Sequence, residues 1–106
     1  MNTPPTITLN GKKYTVPKPK IKLWRNLVRF YESQTKGELS GEAMLDEMFG
    51  IIVLAFGNAE ITVELVEENM DFEELVAVFN YISEYVTNMV NNKAAHVPNA
   101  KTPAEA

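Results

Sequence analysis

Residues 71–92, DFEELVAVFNYISEYVTNMVNN, decide how this chain is read. Phe72, Leu75, Val76, Phe79, Ile82, Val86, Met89 and Val90 recur at steps of three and four for nearly six turns, the spacing of one helical face. Asp71-Phe72-Glu73-Glu74 has the form of a capping box. The Asp71 carboxylate can accept from first-turn amides, and Glu74 can reach back to the cap amide. The sequence therefore predicts a long helix from Asp71 to about Asn92 with one apolar seam. Val78, Tyr81 and Tyr85 lie off that seam, which gives the helix a second contact suited to a partner.

Upstream, three further helices are expected. Thr62 can cap a short one that carries Val63, Leu65 and Val66 to about Asn69, and Gly57-Asn58 is a good stop for the helix before it. That preceding helix starts after Ser40, a plausible N-cap with Glu42 in the first turn, and runs to about Phe56. Its second half, Phe49 to Phe56, is apolar almost all round and should be central. Gly37-Glu38-Leu39-Ser40-Gly41 separates it from an earlier helix, Lys20 to about Thr35. Here Ile21, Leu23, Trp24, Leu27, Val28, Phe30 and Tyr31 make a broad apolar face, with Lys22, Arg25, Arg29 and Glu32 left for solvent. Trp24 is expected on the buried side, with a role as a binding anchor as the alternative.

The chain opens with a hairpin. Asn10-Gly11 suits a type I′ turn, because both central residues need positive φ. A two-residue loop puts Leu9 opposite Lys12, Thr8 opposite Lys13 and Ile7 opposite Tyr14. Ile7, Leu9, Tyr14 and Val16 then share one face, so the ribbon must lie on the helices or pair its edge with another subunit. Pro17-Lys18-Pro19-Lys20 is an extended connector that keeps the next helix from starting early. The expected fold is mainly α with an N-terminal β-hairpin, an α+β bundle of about four helices. One domain spans residues 6–92, between a flexible start at 1–5 and a disordered tail at 93–106 with two prolines and no aromatic residue.

The composition bounds what such a domain can do. In 106 residues with no cysteine there is no disulfide, zinc knuckle or thiol nucleophile, and no room for a cleft between two domains. No basic and apolar leader precedes Thr6, and the apolar run Met48–Phe56 is far short of the roughly 20 residues that cross a bilayer. No membrane role is expected. Charge divides sharply along the chain: residues 12–36 sum to +7, and residues 38–84 to −12 with no Lys or Arg. Either the two regions face each other, or one subunit's basic end meets its neighbour's acidic side.

Candidate chemistry is sparse. His96 is the only histidine and lies in the tail without a second metal ligand. The five glycines form no phosphate-cradling pattern, and no nucleophile has a base. No enzyme activity, cofactor or metal is expected. Glu60, Glu64, Glu67, Glu68, Asp71, Glu73 and Glu74 lack the ladder of a calcium loop and read as solvated helix faces. Glu60, Glu64 and Glu68 fall four apart, so a basic neighbour is needed, either residues 18–29 in cis, the same stretch on another subunit, or a basic partner. A DNA-binding regulator using the helix Lys20 to Arg29 is a rival reading, opposed by the net charge of −4.

A short Asn-Gly hairpin carries Ile7-Thr8-Leu9 and Lys12-Lys13-Tyr14-Thr15-Val16, then come a basic helix with Trp24 and an apolar second helix. Ile61-Thr62-Val63-Glu64-Leu65 and Asp71-Phe72-Glu73-Glu74-Leu75 lead into the long helix. This order resembles tail assembly chaperones of long-tailed phages and prophages of Gram-positive bacteria, from about Ile7 to Val90. The resemblance rests on turn, cap and apolar spacing, with no invariant chemical signature. It implies a non-enzymatic protein of the host cytoplasm that binds the long helical tape measure protein, keeps it soluble and helps recruit the major tail protein. It also implies that a longer, frameshifted form can exist. A structural head-to-tail connector is the other alternative. Partner contacts are expected on Val78, Tyr81 and Tyr85. In a homo-oligomer, subunit contacts are expected between Lys18, Lys22, Arg25 or Arg29 and Glu64, Glu67, Glu68 or Glu74.

Overall fold

The computed structural model describes residues 3–38 and 40–95. Two strands, β1 (Thr6–Leu9) and β2 (Lys12–Thr15), precede four helices, α1 (Ile21–Thr35), α2 (Gly41–Phe56), α3 (Val63–Asn69) and α4 (Phe72–Ala95). The expected mainly helical bundle with an N-terminal hairpin is what forms. Asn10 (φ 54°) and Gly11 (φ 80°) make the two-residue turn, and β1 pairs antiparallel with β2 in the expected register, Ile7 with Tyr14 and Leu9 with Lys12. The hairpin packs in cis. Ile7, Leu9, Tyr14 and Val16 are buried, and β1 lies against α3, where Val66 is fully enclosed.

Each later helix start has a local cause. The Ser40 hydroxyl accepts from the Ala43 amide (3.2 Å), and Thr62 Oγ1 accepts from the Leu65 amide (3.1 Å). At α4 the capping box closes in both directions: the Glu74 amide donates to Asp71 Oδ1 (2.8 Å), and the Asp71 amide to Glu74 Oε1 (3.1 Å). Helix α2 stops at Gly57, which takes the left-handed conformation at φ 54° and donates its amide to the Val53 carbonyl (3.1 Å). These satisfy groups that a helix end would otherwise leave open.

The core is built around α2, which packs against α1, α3 and α4. Its apolar second half is central as expected, with Phe49, Ile51, Ile52, Ala55 and Phe56 buried. Helices α1 and α4 run antiparallel. Phe30 meets Phe79 with ring centroids 4.9 Å apart, and the Tyr31 and Ser83 hydroxyls lie 2.8 Å apart in a hydrogen bond.

Four features of α4 and the N-terminus differ from the sequence reading. Phe72, placed on the α4 seam, is 70% exposed. It is the first residue of the helix, and side chains there lean back over the preceding turn instead of onto the core. Tyr85, placed on the partner-facing side, is 5% exposed, because α4 is covered by both α1 and α2. Residues 3–5, expected to be flexible, are held: Pro5 is fully buried, its carbonyl accepts from the Val16 amide (2.9 Å), and the Thr3 carbonyl accepts from the Tyr81 hydroxyl (3.2 Å). Helix α4 runs to Ala95, past the expected end near Asn92. The rest of the expected tail, His96 included, lies outside the described residues.

Candidate functional site

Helix α1 has more apolar surface than one core can cover. Leu23, Leu27 and Phe30 point inward and are buried, whereas Trp24 and Val28 are half-buried and Ile21 and Tyr31 are exposed. The tryptophan expected in the core therefore lines the surface. A core residue is enclosed from several sides, and at Trp24 only α4 closes one flank. The result is a groove between α1 and α4. Its wider part, about 470 Å³, has Trp24, Leu27, Val28, Tyr31 and Thr87 in its lining. A second part of about 270 Å³ continues past Trp24, between Ile21 and the α4 residues Val86, Met89 and Val90. Ile21, Trp24 and Val28 continue around α1 to Arg25 and Arg29. The rim is mostly cationic: Lys20, Arg25, Arg29 and Lys36 stand there against the single carboxylate of Glu32.

The other flank of α1 carries a smaller hollow of about 220 Å³ between the proline connector and the end of α2. Leu23, Leu54 and Ala55 line it with the two prolines, and Lys18, Lys20 and Lys22 surround it.

The residues singled out from sequence are distributed as follows. Val78 is half-buried, and Tyr81 is 44% exposed with its hydroxyl engaged by Thr3. With Tyr85 in the core, these three do not form one open face. Lys18, Lys22, Arg25 and Arg29 are all exposed, as are Glu64, Glu67, Glu68 and Glu74. The structure brings none of these cations onto those acids in cis. Arg29 instead donates to Asn26 Oδ1 (2.7 Å). Among the described residues the ion pair is Lys12 with Glu60 (2.6 Å), and Glu60 also accepts from the Tyr14 hydroxyl (3.0 Å). Glu60 lies in the turn before α3, so it does not stack on Glu64 in a helical register, and its basic neighbour is the hairpin. Two signals were available for what was missed: seven apolar positions on α1 exceed a single buried stripe, and Lys12, opposite Leu9 and two residues before Tyr14, puts a cation on the otherwise apolar face of the hairpin, where an acid is needed beside it.

The Glu60 carboxyl is held below its ordinary value of 4.5, first by the hydrogen bond from Lys12 and then by that from Tyr14. Lys12 is raised above 10.5, chiefly by the same hydrogen bond, and the Tyr14 hydroxyl is raised by burial and then by Glu60. A depressed acid contributes stability above its unfolded value, and that contribution is lost as pH falls through the folded value. The raised lysine contributes fully below its unfolded value and loses this as pH climbs through the folded one. Glu60→Gln is therefore expected to be slightly less stable than the natural sequence near neutral pH, with the gap closing in strong acid. Urea midpoints from pH 7 down to about 3 measure this; a gap that stays constant with pH would remove the ion pair from the account.

Among the described residues no group of three or more His, Asp or Glu is placed to hold a metal ion, and no helix is long and apolar enough to cross a membrane. What the fold and its surface define is a small helical bundle with an N-terminal hairpin and an apolar groove beside a basic helix. The chain matches the phage tail chaperone protein family over residues 4–102, a span that takes in the hairpin and all four helices, and it belongs to that family. No curated protein and no solved structure shows significant similarity to it.

Proposed function

We propose that this chain is a non-enzymatic tail assembly chaperone acting in the cytoplasm of the host cell. It binds the tape measure protein, keeps it soluble, and helps bring the major tail protein around it. The observation that carries this reading is the α1–α4 groove, whose half-buried Trp24 lies between Val28 on one side and Val86 and Met89 on the other. An apolar channel between two helices suits the apolar face of a third, and exposed apolar surface of this kind is what an unassembled helical protein needs covered. The groove takes precedence over the Val78–Tyr81 stripe as the partner site, because Tyr85 is enclosed and Tyr81 is engaged within the chain. Copies of the chain associate through their charged ends, the exposed Lys18, Lys22, Arg25 and Arg29 of one meeting Glu64, Glu67, Glu68 and Glu74 of the next.

The test is to look beside this gene for one encoding a very long, helix-patterned product, and to co-express that product with the full chain. The expected result is that this product moves from the insoluble to the soluble fraction and copurifies with the chain. If it stays insoluble, or is equally soluble alone, the chaperone reading of this pair fails. Tight duplex binding that weakens steeply with salt would instead support the regulator reading built on the Lys20 to Arg29 helix.

A further inference from the structure

We infer that the exposed Phe72 of one copy docks into the lysine-ringed hollow between α1 and α2 of a second copy. The inference rests on the proposed self-association and names its central contact. Phe72 is the most exposed aromatic side chain among the described residues, and its surroundings are acidic: Asp71, Glu73 and Glu74 flank it in sequence, and Glu68 stands on the preceding helix. All four carboxylates are exposed, and none has a cationic partner among the described residues. The hollow is the counterpart. Its lining is apolar, through Leu23, Leu54, Ala55 and the two prolines, and Lys18, Lys20 and Lys22 around it are equally without ion pairs. An aromatic ring ringed by acids thus has, on the same chain, an apolar seat ringed by cations.

The two cannot meet within one molecule. Because α1 and α4 are antiparallel, with Phe30 level with Phe79 and Ile21 beside Val90, the start of α4 and the start of α1 point to opposite ends of the pair. At 1.5 Å per residue, Phe72 and Lys22 lie roughly 20 Å apart along it. Complementary patches on opposite ends give a head-to-tail contact that leaves one free knob and one free seat after each addition, so it propagates unless the rotation closes a ring. A buried aromatic anchor at the centre with charges at the rim is the arrangement in which one residue dominates affinity and the charges set orientation.

The experiment uses the full chain, with sedimentation velocity over a range of concentration and salt. Phe72→Ser removes the knob, and Lys18→Glu with Lys22→Glu reverses the rim of the seat. All three positions are exposed, and circular dichroism checks that each variant is folded. Each is expected to weaken self-association at least about tenfold. Mixed, they should recover a complex that stops at one copy of each, since Phe72→Ser keeps its seat and the double-lysine variant keeps its knob. If the natural chain associates and Phe72→Ser associates equally well, the docking contact is overturned while charge-driven association stands. If the natural chain stays monomeric throughout, association and docking fall together, and the tape measure reading is untouched because its own co-expression test decides it.

Discussion

Phe79→Ala is expected to lower stability by about 3–5 kcal/mol, the usual cost of removing a phenyl group from a packed core. Phe79 is 3% exposed and holds α1 to α4 through two aromatic contacts, Phe30 at 4.9 Å and Tyr31 at 6.3 Å. Phe30 and Tyr31 also meet edge to face at 5.4 Å, so the three rings act as one joint whose α4 member the substitution deletes. The surrounding helices cannot close onto the space, because Ser83 one turn further on is tied to the Tyr31 hydroxyl. Small domains have on the order of 5–15 kcal/mol in total, so a large share of the fold's margin rests on this ring. Thermal melts should show the midpoint down by more than about 10 °C. Phe72→Ala, on the same helix and 70% exposed, should move it by no more than a few degrees. Similar melts for the two variants would mean that α1 and α4 are not joined as described.

Under the proposed function, Trp24→Ala is expected to weaken capture of a tape measure helix at least about tenfold, while costing less stability than the Phe79 change. The indole is half-buried and borders both parts of the groove, so a helix lying along α1 must cover it. Its removal flattens the wall that Val28, Val86 and Met89 would otherwise complete. As the chain's one tryptophan, Trp24 also reports on its own surroundings. On binding, its emission should shift to shorter wavelength as the ring leaves water. A complex that forms with no shift, and that tolerates Trp24→Ala, would move the partner site off this groove without touching the chaperone role.

The features of the fold that could be read directly are those whose causes lie within a few residues. Asn10-Gly11 sets the hairpin register because two adjacent positive φ values leave one closure of the ladder. Ser40, Thr62 and the Asp71–Glu74 pair each cap a helix through a bond three residues long. The features that could not be read depend on distant segments. Ile21, Trp24 and Phe72 obey the apolar spacing as well as Leu27 or Phe79 do, yet they stand partly or largely in water. Periodicity states which side chains share a face; it does not state whether another element is long enough, or near enough, to cover that face. Glu60 found its cation 48 residues away, on the hairpin, where no charge count along the chain could point.

Element types, their order, their caps and the split between a basic beginning and an acidic middle are therefore properties of the chain as written, since turns, caps and charges are local chemistry. Which apolar residues became core and which became a groove or an exposed knob was settled by how four helices of unequal length cross. Burial is a relation between elements: α4 closes one flank of Trp24 and leaves the other open, and, running past the end of α1, it leaves Phe72 uncovered at its tip.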